Sequence, residues 1–124
     1  MTIIEAINKN DALKSNTFSQ DDKVEWLSRL DWIIKKQILD THQGAEHVTF
    51  TGYDGNTDLH TPLLVPAPYD EVYLRWLEAQ MAYHNDEIDR YNTAITMFNT
   101  AYEAYEKYYN RTHMPIAKGS RFVF

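Results

Sequence analysis

Ten apolar or aromatic side chains recur at steps of three and four between Tyr69 and Arg111, and a row of that length has to be buried against something. The row is Leu74, Leu77, Met81, Ile88, Tyr91, Ile95, Phe98, Tyr102, Tyr105 and Tyr109, and only His84 interrupts it. At this spacing one side chain per turn falls on the same helical face. No Gly or Pro lies inside the stretch, which is rich in Ala, Leu, Glu, Met and Arg, all good helix formers. His84, Asn85 and Asp86 are three poor helix formers in succession. They predict a break near 84–86, giving helices over about 69–84 and 86–111, with Asn85 capping the second and Asp86, Glu87 and Asp89 in its first turn. The row keeps its register across the junction, which fits a kinked helix as well as a reversal.

The rest of the chain reads as a bundle around that segment. Thr2 and Glu5 have capping-box spacing, so a short helix is expected over about 2–9, with Ile3, Ala6 and Ile7 on one face. Ser19 opens a second helix over about 19–41, with Asp21 and Asp22 in its first turn and Val24, Leu27, Leu30, Ile34 and Ile38 as its buried row. From His42 the helical period stops. Residues 47–53 alternate and are rich in β-branched and aromatic types, Asp54-Gly55 signals a turn, and Leu59 to Val65 offers a return strand. That pattern predicts a two-stranded β arm over about 47–65. An isolated hairpin is marginal in water, so the arm is expected to lie on its own helices or on a neighbouring subunit. Pro66-Ala67-Pro68 then leads into the long helical segment, and Met114-Pro115 ends it, leaving an extended tail over 114–124. The fold class is mainly α, and 124 residues make one domain.

Charge and composition exclude several roles. No run approaches the roughly 18–20 apolar residues of a membrane span. The N-terminal MTIIEAINKN lacks a basic start followed by an apolar run, so no secretion signal is expected. There is no cysteine, hence no disulfide and no thiolate metal ligand. A net charge of −6 argues against a binder that works through phosphate contacts. Residues 42–68 hold three acids and no base, residues 69–111 hold eight acids and four bases, and the tail holds only Lys118 and Arg121. The tail differs chemically from the body.

Candidate chemistry is sparse. The five His are scattered, without the i,i+3 or i,i+4 pairing that sets metal ligands on one helical face. Glu46, His47, Asp54 and His60 lie on the polar arm, where such residues are ordinarily solvated. No Gly loop for phosphate and no nucleophile motif is present. No cofactor, no metal site and no enzymatic activity are expected. Asp31 falls inside the buried row of the second helix; as a structural carboxylate it would bond a Tyr hydroxyl or backbone amide, and a catalytic role is the other reading. His84, at a core position of the row, is expected as a satisfied core or junction histidine, with a general base as the other reading. The nine tyrosines are either a Tyr-rich core or, on one side, an interface, for which Tyr is well suited.

The wording of two stretches, VEWLSRLDWIIKKQILDTH (24–42) and LVPAPYDEVYLRWLEAQMAYHNDEIDRYNTAITMFNTAYEAYEKYYNRTHMP (64–115), resembles the head–tail adaptor (head-completion or connector) proteins of tailed phages and prophages of Gram-positive bacteria. LDWIIKK, VPAPYDEVY and YNRTHMP are its most specific parts. At the junction the family pattern has Asn-Gly where this chain has Asn85-Asp86. The resemblance implies a small helical protein with a β arm, not an enzyme. Such a protein forms a homo-oligomeric ring, typically a dodecamer, between the portal of the DNA-filled head and a tail-side stopper or tail protein. It implies a virion location at the head–tail junction after synthesis in the host cytoplasm, no membrane, and DNA passing through without sequence-specific binding.

Within that picture the candidate residues fall into three groups. Lys118, Arg121, Phe122 and Phe124 form a portal-binding tail. Val48, Phe50, Tyr53 and Leu59 form an inter-subunit arm, and Tyr102, Tyr105, Tyr108 and Tyr109 an inter-subunit helix face. The competing reading is a small helical regulator or inhibitor that binds a host protein through the Tyr-rich face.

Overall fold

The computed structural model describes residues 1–116, which form α1 (Ile3–Leu13), α2 (Gln20–Gln37), α3 (Glu71–His84) and α4 (Ile88–Thr112). The mainly helical fold is as expected, and each expected helix is present. α1 begins with the capping box: the Glu5 amide donates to the Thr2 hydroxyl and the Glu5 carboxylate accepts from the Thr2 amide. It runs to Leu13 rather than stopping near residue 9. Tertiary contacts hold its polar last turn: Asn10 is buried against Met81, and Asp11 pairs with a buried Lys23 at 2.8 Å. Ser19 caps α2 through the Asp22 amide, and two acids sit in its first turn where the helix dipole favours them. After Gln37 the helix tightens into a 3-10 turn over Leu39–Thr41.

The break near 84–86 is a reversal. Tyr83 meets Tyr91, Trp76 meets Phe98, and Tyr69 meets Tyr105. The paired numbers run in opposite directions, so α3 and α4 form an antiparallel αα-hairpin. Asn85 ends α3 rather than starting α4. The Glu87 amide donates to the Ala82 carbonyl and the Asp86 amide to the Tyr83 carbonyl, the two bonds of a Schellman ending. Asp86 occupies its left-handed position at φ 58, where glycine costs least.

The core lies where α1, α2 and the α3–α4 hairpin meet. Ile3 and Ile7 of α1, Leu27, Leu30 and Ile34 of α2, and Tyr73, Leu77 and Met81 of α3 are all buried. The row on α4 continues it through Phe98, Tyr105 and Tyr109. Its first members are less covered: Ile95 is half-buried and Ile88 is 63% exposed, because α4 starts at the hairpin tip with only the end of α3 beside it.

The β arm over 47–65 is not formed. Among the described residues no strand pairs with another, and only two isolated bridges occur, Thr2 with Pro62 and His42 with Pro115. The physical reason is competition from side chains and from α1. Asp54 closes a turn on itself by accepting from the Asn56 amide, while the Thr57 amide returns to the Asp54 carbonyl. Asp58 repeats the device at His60 and Thr61. The expected return strand then bonds the start of α1: Ile3 and Ile4 amides donate to the Thr61 and Leu59 carbonyls, and the Leu63 amide to Met1. The segment is therefore a strap laid over its own helices.

Two substitutions test this account by thermal unfolding. Leu27→Ala, which opens a hole in the core, should cost about 2–5 kcal/mol. Asp86→Gly should raise stability by about 0.5–1 kcal/mol, since it relieves a left-handed residue at a helix end; a loss on that change would contradict the Schellman ending.

Candidate functional site

Asp31 is the most unusual group in the chain: a carboxylate with no exposure, on the inner face of α2. Three donors converge on it. The Tyr53 hydroxyl from the strap donates at 2.5 Å, the Tyr73 hydroxyl from α3 at 2.6 Å, and the Leu64 amide at 3.1 Å. The Tyr73 oxygen in turn accepts from the Val65 amide at 2.7 Å. One side chain thus joins α2, α3 and two points of the strap, Tyr53 within it and Leu64 near its end. Ser28, one helical turn earlier, accepts from the Tyr53 amide at 2.9 Å. Gly52 lies against Trp32 with φ +91, so a side chain there would be strained and would crowd the indole.

Burial pushes the Asp31 carboxyl above its ordinary range, and the three donors pull it back without cancelling the shift. Burial, and then the neighbouring Asp31 charge, push both tyrosine hydroxyls upward. A carboxylate enclosed by its donors and closed to solvent is suited to holding elements together. This is the bonding expected of Asp31 as a structural carboxylate, with Tyr hydroxyls and a backbone amide as partners. Tyr73 did not stand out in the sequence because it precedes the main row, although it lies one turn before Leu77 on the same face.

The candidate residues are placed as follows. Tyr53 and Phe50 pack on this chain's own α2, Phe50 against Trp32 at 4.8 Å and against Tyr53 at 5.0 Å. Val48 and Leu59 are half-buried against the core. Tyr105 and Tyr109 are buried inside the chain, while Tyr102 and Tyr108 are half-buried. Tyr102 donates to Gln37 of α2 at 2.6 Å, and burial together with Glu106 raises its hydroxyl to about 12. Tyr108 stacks on Tyr69. The Tyr-rich face is therefore largely intramolecular core. Lys118, Arg121, Phe122 and Phe124 lie outside the described residues.

Two further constellations were not foreseen. His42 is buried at the end of α2; its Nδ1 lies 2.7 Å from the Ile38 carbonyl, its Nε2 lies 2.7 Å from Asn110 of α4, and its ring meets Tyr109 edge-on. Beside it the Gln43 amide donates to Met114 and the Ile116 amide to Thr41. At the other end of α2, His84 stacks on Trp26 at 5.3 Å and Phe18 meets Trp26 edge-on. His84 thus lies at the junction and is exposed, so the core reading of it is not met: its ring covers Trp26 from the solvent side. Among the described residues no group of three His, Asp or Glu is placed to hold a metal, and no helix is long and apolar enough to cross a membrane. Comparison with known proteins found no matching family model, curated protein or solved structure.

Asp31→Asn should destabilise the fold by about 2–4 kcal/mol at neutral pH, because it turns an amide donor towards groups that need an acceptor. The pH dependence has a definite sign. The folded chain holds the Asp31 proton to a higher pH than the unfolded chain, so within that window falling pH adds stability to the wild type. The asparagine variant has no such proton. The gap in melting temperature between the two should therefore widen as pH falls from 7 towards the ordinary carboxylate range.

Proposed function

We propose that this chain is a structural subunit of a phage virion, one copy of an adaptor ring between the portal of the filled head and the tail. The resemblance of residues 24–42 and 64–115 supports this reading. In the fold those stretches become α2 with its 3-10 turn and the α3–α4 hairpin with its lead-in. The family pattern has glycine at the hairpin junction, and the position held here by Asp86 has the left-handed conformation that glycine favours.

The observation that carries the geometric side is a pair of dissimilar apolar surfaces. Trp32 is 38% exposed beside Phe50, and on α2 it lies about 160–200° around the helix from Ile34 and Leu30, which face the core. Tyr83 and Ile88 are 59% and 63% exposed at the hairpin tip. Head-to-tail rings require two different patches on one subunit, whereas a two-fold dimer requires one self-complementary patch. The partners in this reading are further copies of the chain, the portal, and a tail-side stopper or tail protein. The acidic balance of the body, ten bases against eighteen acids over 1–116, leaves passing DNA without a phosphate-binding surface.

Electron microscopy of the purified protein mixed with its portal should show a ring on the portal's tail-facing end. Ile88→Glu should change the unfolding free energy by no more than about 0.5 kcal/mol, as surface changes do, and should abolish the ring. Failure of the wild type to decorate the portal would overturn the assignment.

A further inference from the structure

We infer that the C-terminal tail of one copy docks into an aromatic pocket at the N-terminal end of α2 in a second copy. The pocket is lined by Phe18, Asp22, Glu25, Trp26, Arg29 and His84. Its floor is a three-ring cluster: Trp26 lies flat on His84, and Phe18 closes on both edge-to-face, at 5.3 Å and 6.4 Å. Trp26 is itself buried, and behind it the Trp76 indole donates to its backbone carbonyl at 2.8 Å.

The charge around the pocket is negative. Glu25 pairs with Arg29 at 3.2 Å, while Asp21 and Asp22 make no ion pair among the described residues. The Asp54-Gly55 turn comes up beside them, close enough that a Cβ added at Gly55 would lie 3.9 Å from the Asp21 carboxylate. An aromatic floor under an acidic rim suits a short peptide that carries both cations and aromatic rings. Residues 117–124, AKGSRFVF, have that chemistry: two bases, no acid and two phenylalanines.

Reach decides between the tail of the same chain and that of another. The described chain ends at Ile116, bonded to Thr41 beyond the C-terminal end of α2. From there to the pocket, along α2 and its 3-10 extension, is about 25 Å at the usual helical rises. Phe122, six residues on, spans at most about 21 Å fully extended and Phe124, eight on, about 28 Å. From the same chain only the last ring therefore reaches the near edge at Trp26, with Phe122 and both bases left short of Asp22 one helical turn further on. A tail from a second copy has no such limit, and one pocket and one tail per chain give a head-to-tail contact.

The test uses the full-length chain and a fluorescent peptide of residues 117–124 added in trans, followed by anisotropy. The peptide is expected to bind and to weaken as salt is raised. It should lose at least tenfold in affinity with Lys118→Glu and Arg121→Glu together, and likewise with Phe122→Ala and Phe124→Ala together. These changes lie in the peptide and leave the fold of the protein untouched. On the protein, Asp22→Asn with Glu25→Gln should produce a similar loss while lowering the melting temperature by only a few degrees, as expected of a first-turn acid and an exposed ion pair. A peptide that fails to bind, or binds as well with its bases reversed, overturns the inference. So does one that binds only purified portal, which would return the tail to the role the resemblance implies. Mixing heavy- and light-isotope full-length chains, with a photo-reactive residue at position 122, should yield heavy–light cross-links to residues 18–29 or 84; cross-links confined to single chains would place the tail in cis and overturn it. Peptide binding is read on the isolated chain, so the result stands apart from whether the chain builds a ring on a portal.

Discussion

The clamp on Asp31 is the interaction on which the other elements depend. A carboxylate without solvent is costly to bury, and it is tolerable here because Tyr53, Tyr73 and the Leu64 amide all point at it. Two donors come from the strap and one from α3, so the charge fixes the position of both relative to α2. Apolar burial alone would let these elements slide, since hydrophobic contact has no direction. The clamp supplies direction. It also explains why a strap whose side chains between residues 43 and 62 are all exposed or half-buried still follows one course across the surface.

Legibility in the sequence followed the range of the forces involved. The helices could be read because period and capping are local: Thr2 with Glu5 and Ser19 with Asp22 act where the sequence places them. The carboxylate role of Asp31 was visible from its place in an apolar row, although its partners were not, since they lie 22 to 42 residues away. The strap was misread for the opposite reason. Alternation of Val48 and Phe50 with threonines is a true local signal, but Asp54 and Asp58 close turns upon themselves and the first amides of α1 take up the Leu59 and Thr61 carbonyls. Alternation indicates which residues suit a strand; it says nothing of where a partner for the backbone will be found. The tyrosines of α4 posed a similar ambiguity, because Tyr serves a core and an interface equally well. Burial divides them, with Tyr105 and Tyr109 inside.

α4 has 25 residues against 14 in α3, and its two halves do different work. The C-terminal half carries the buried tyrosines and reaches the end of α2 through Tyr102 and Asn110. The N-terminal half begins at a reversal whose ring and alkyl groups stay open to solvent. A chain that is packed at one end and apolar at the other fits the assembly role proposed above, in which an exposed apolar patch is one that a partner covers.

The bridge between residues 41–43 and 114–116 has a mechanical consequence. Two backbone hydrogen bonds, Gln43 to Met114 and Ile116 to Thr41, tie the last described residues to the end of α2. Tension drawn through the C-terminus therefore does not act on the last turn of α4 alone. It is shared with α2 and, through His42 and Asn110, returned to α4 from the side. The strap departs from the same knot. A pull at the chain's end is thus delivered to the root of the segment that crosses the outer surface, some seventy residues earlier in the sequence.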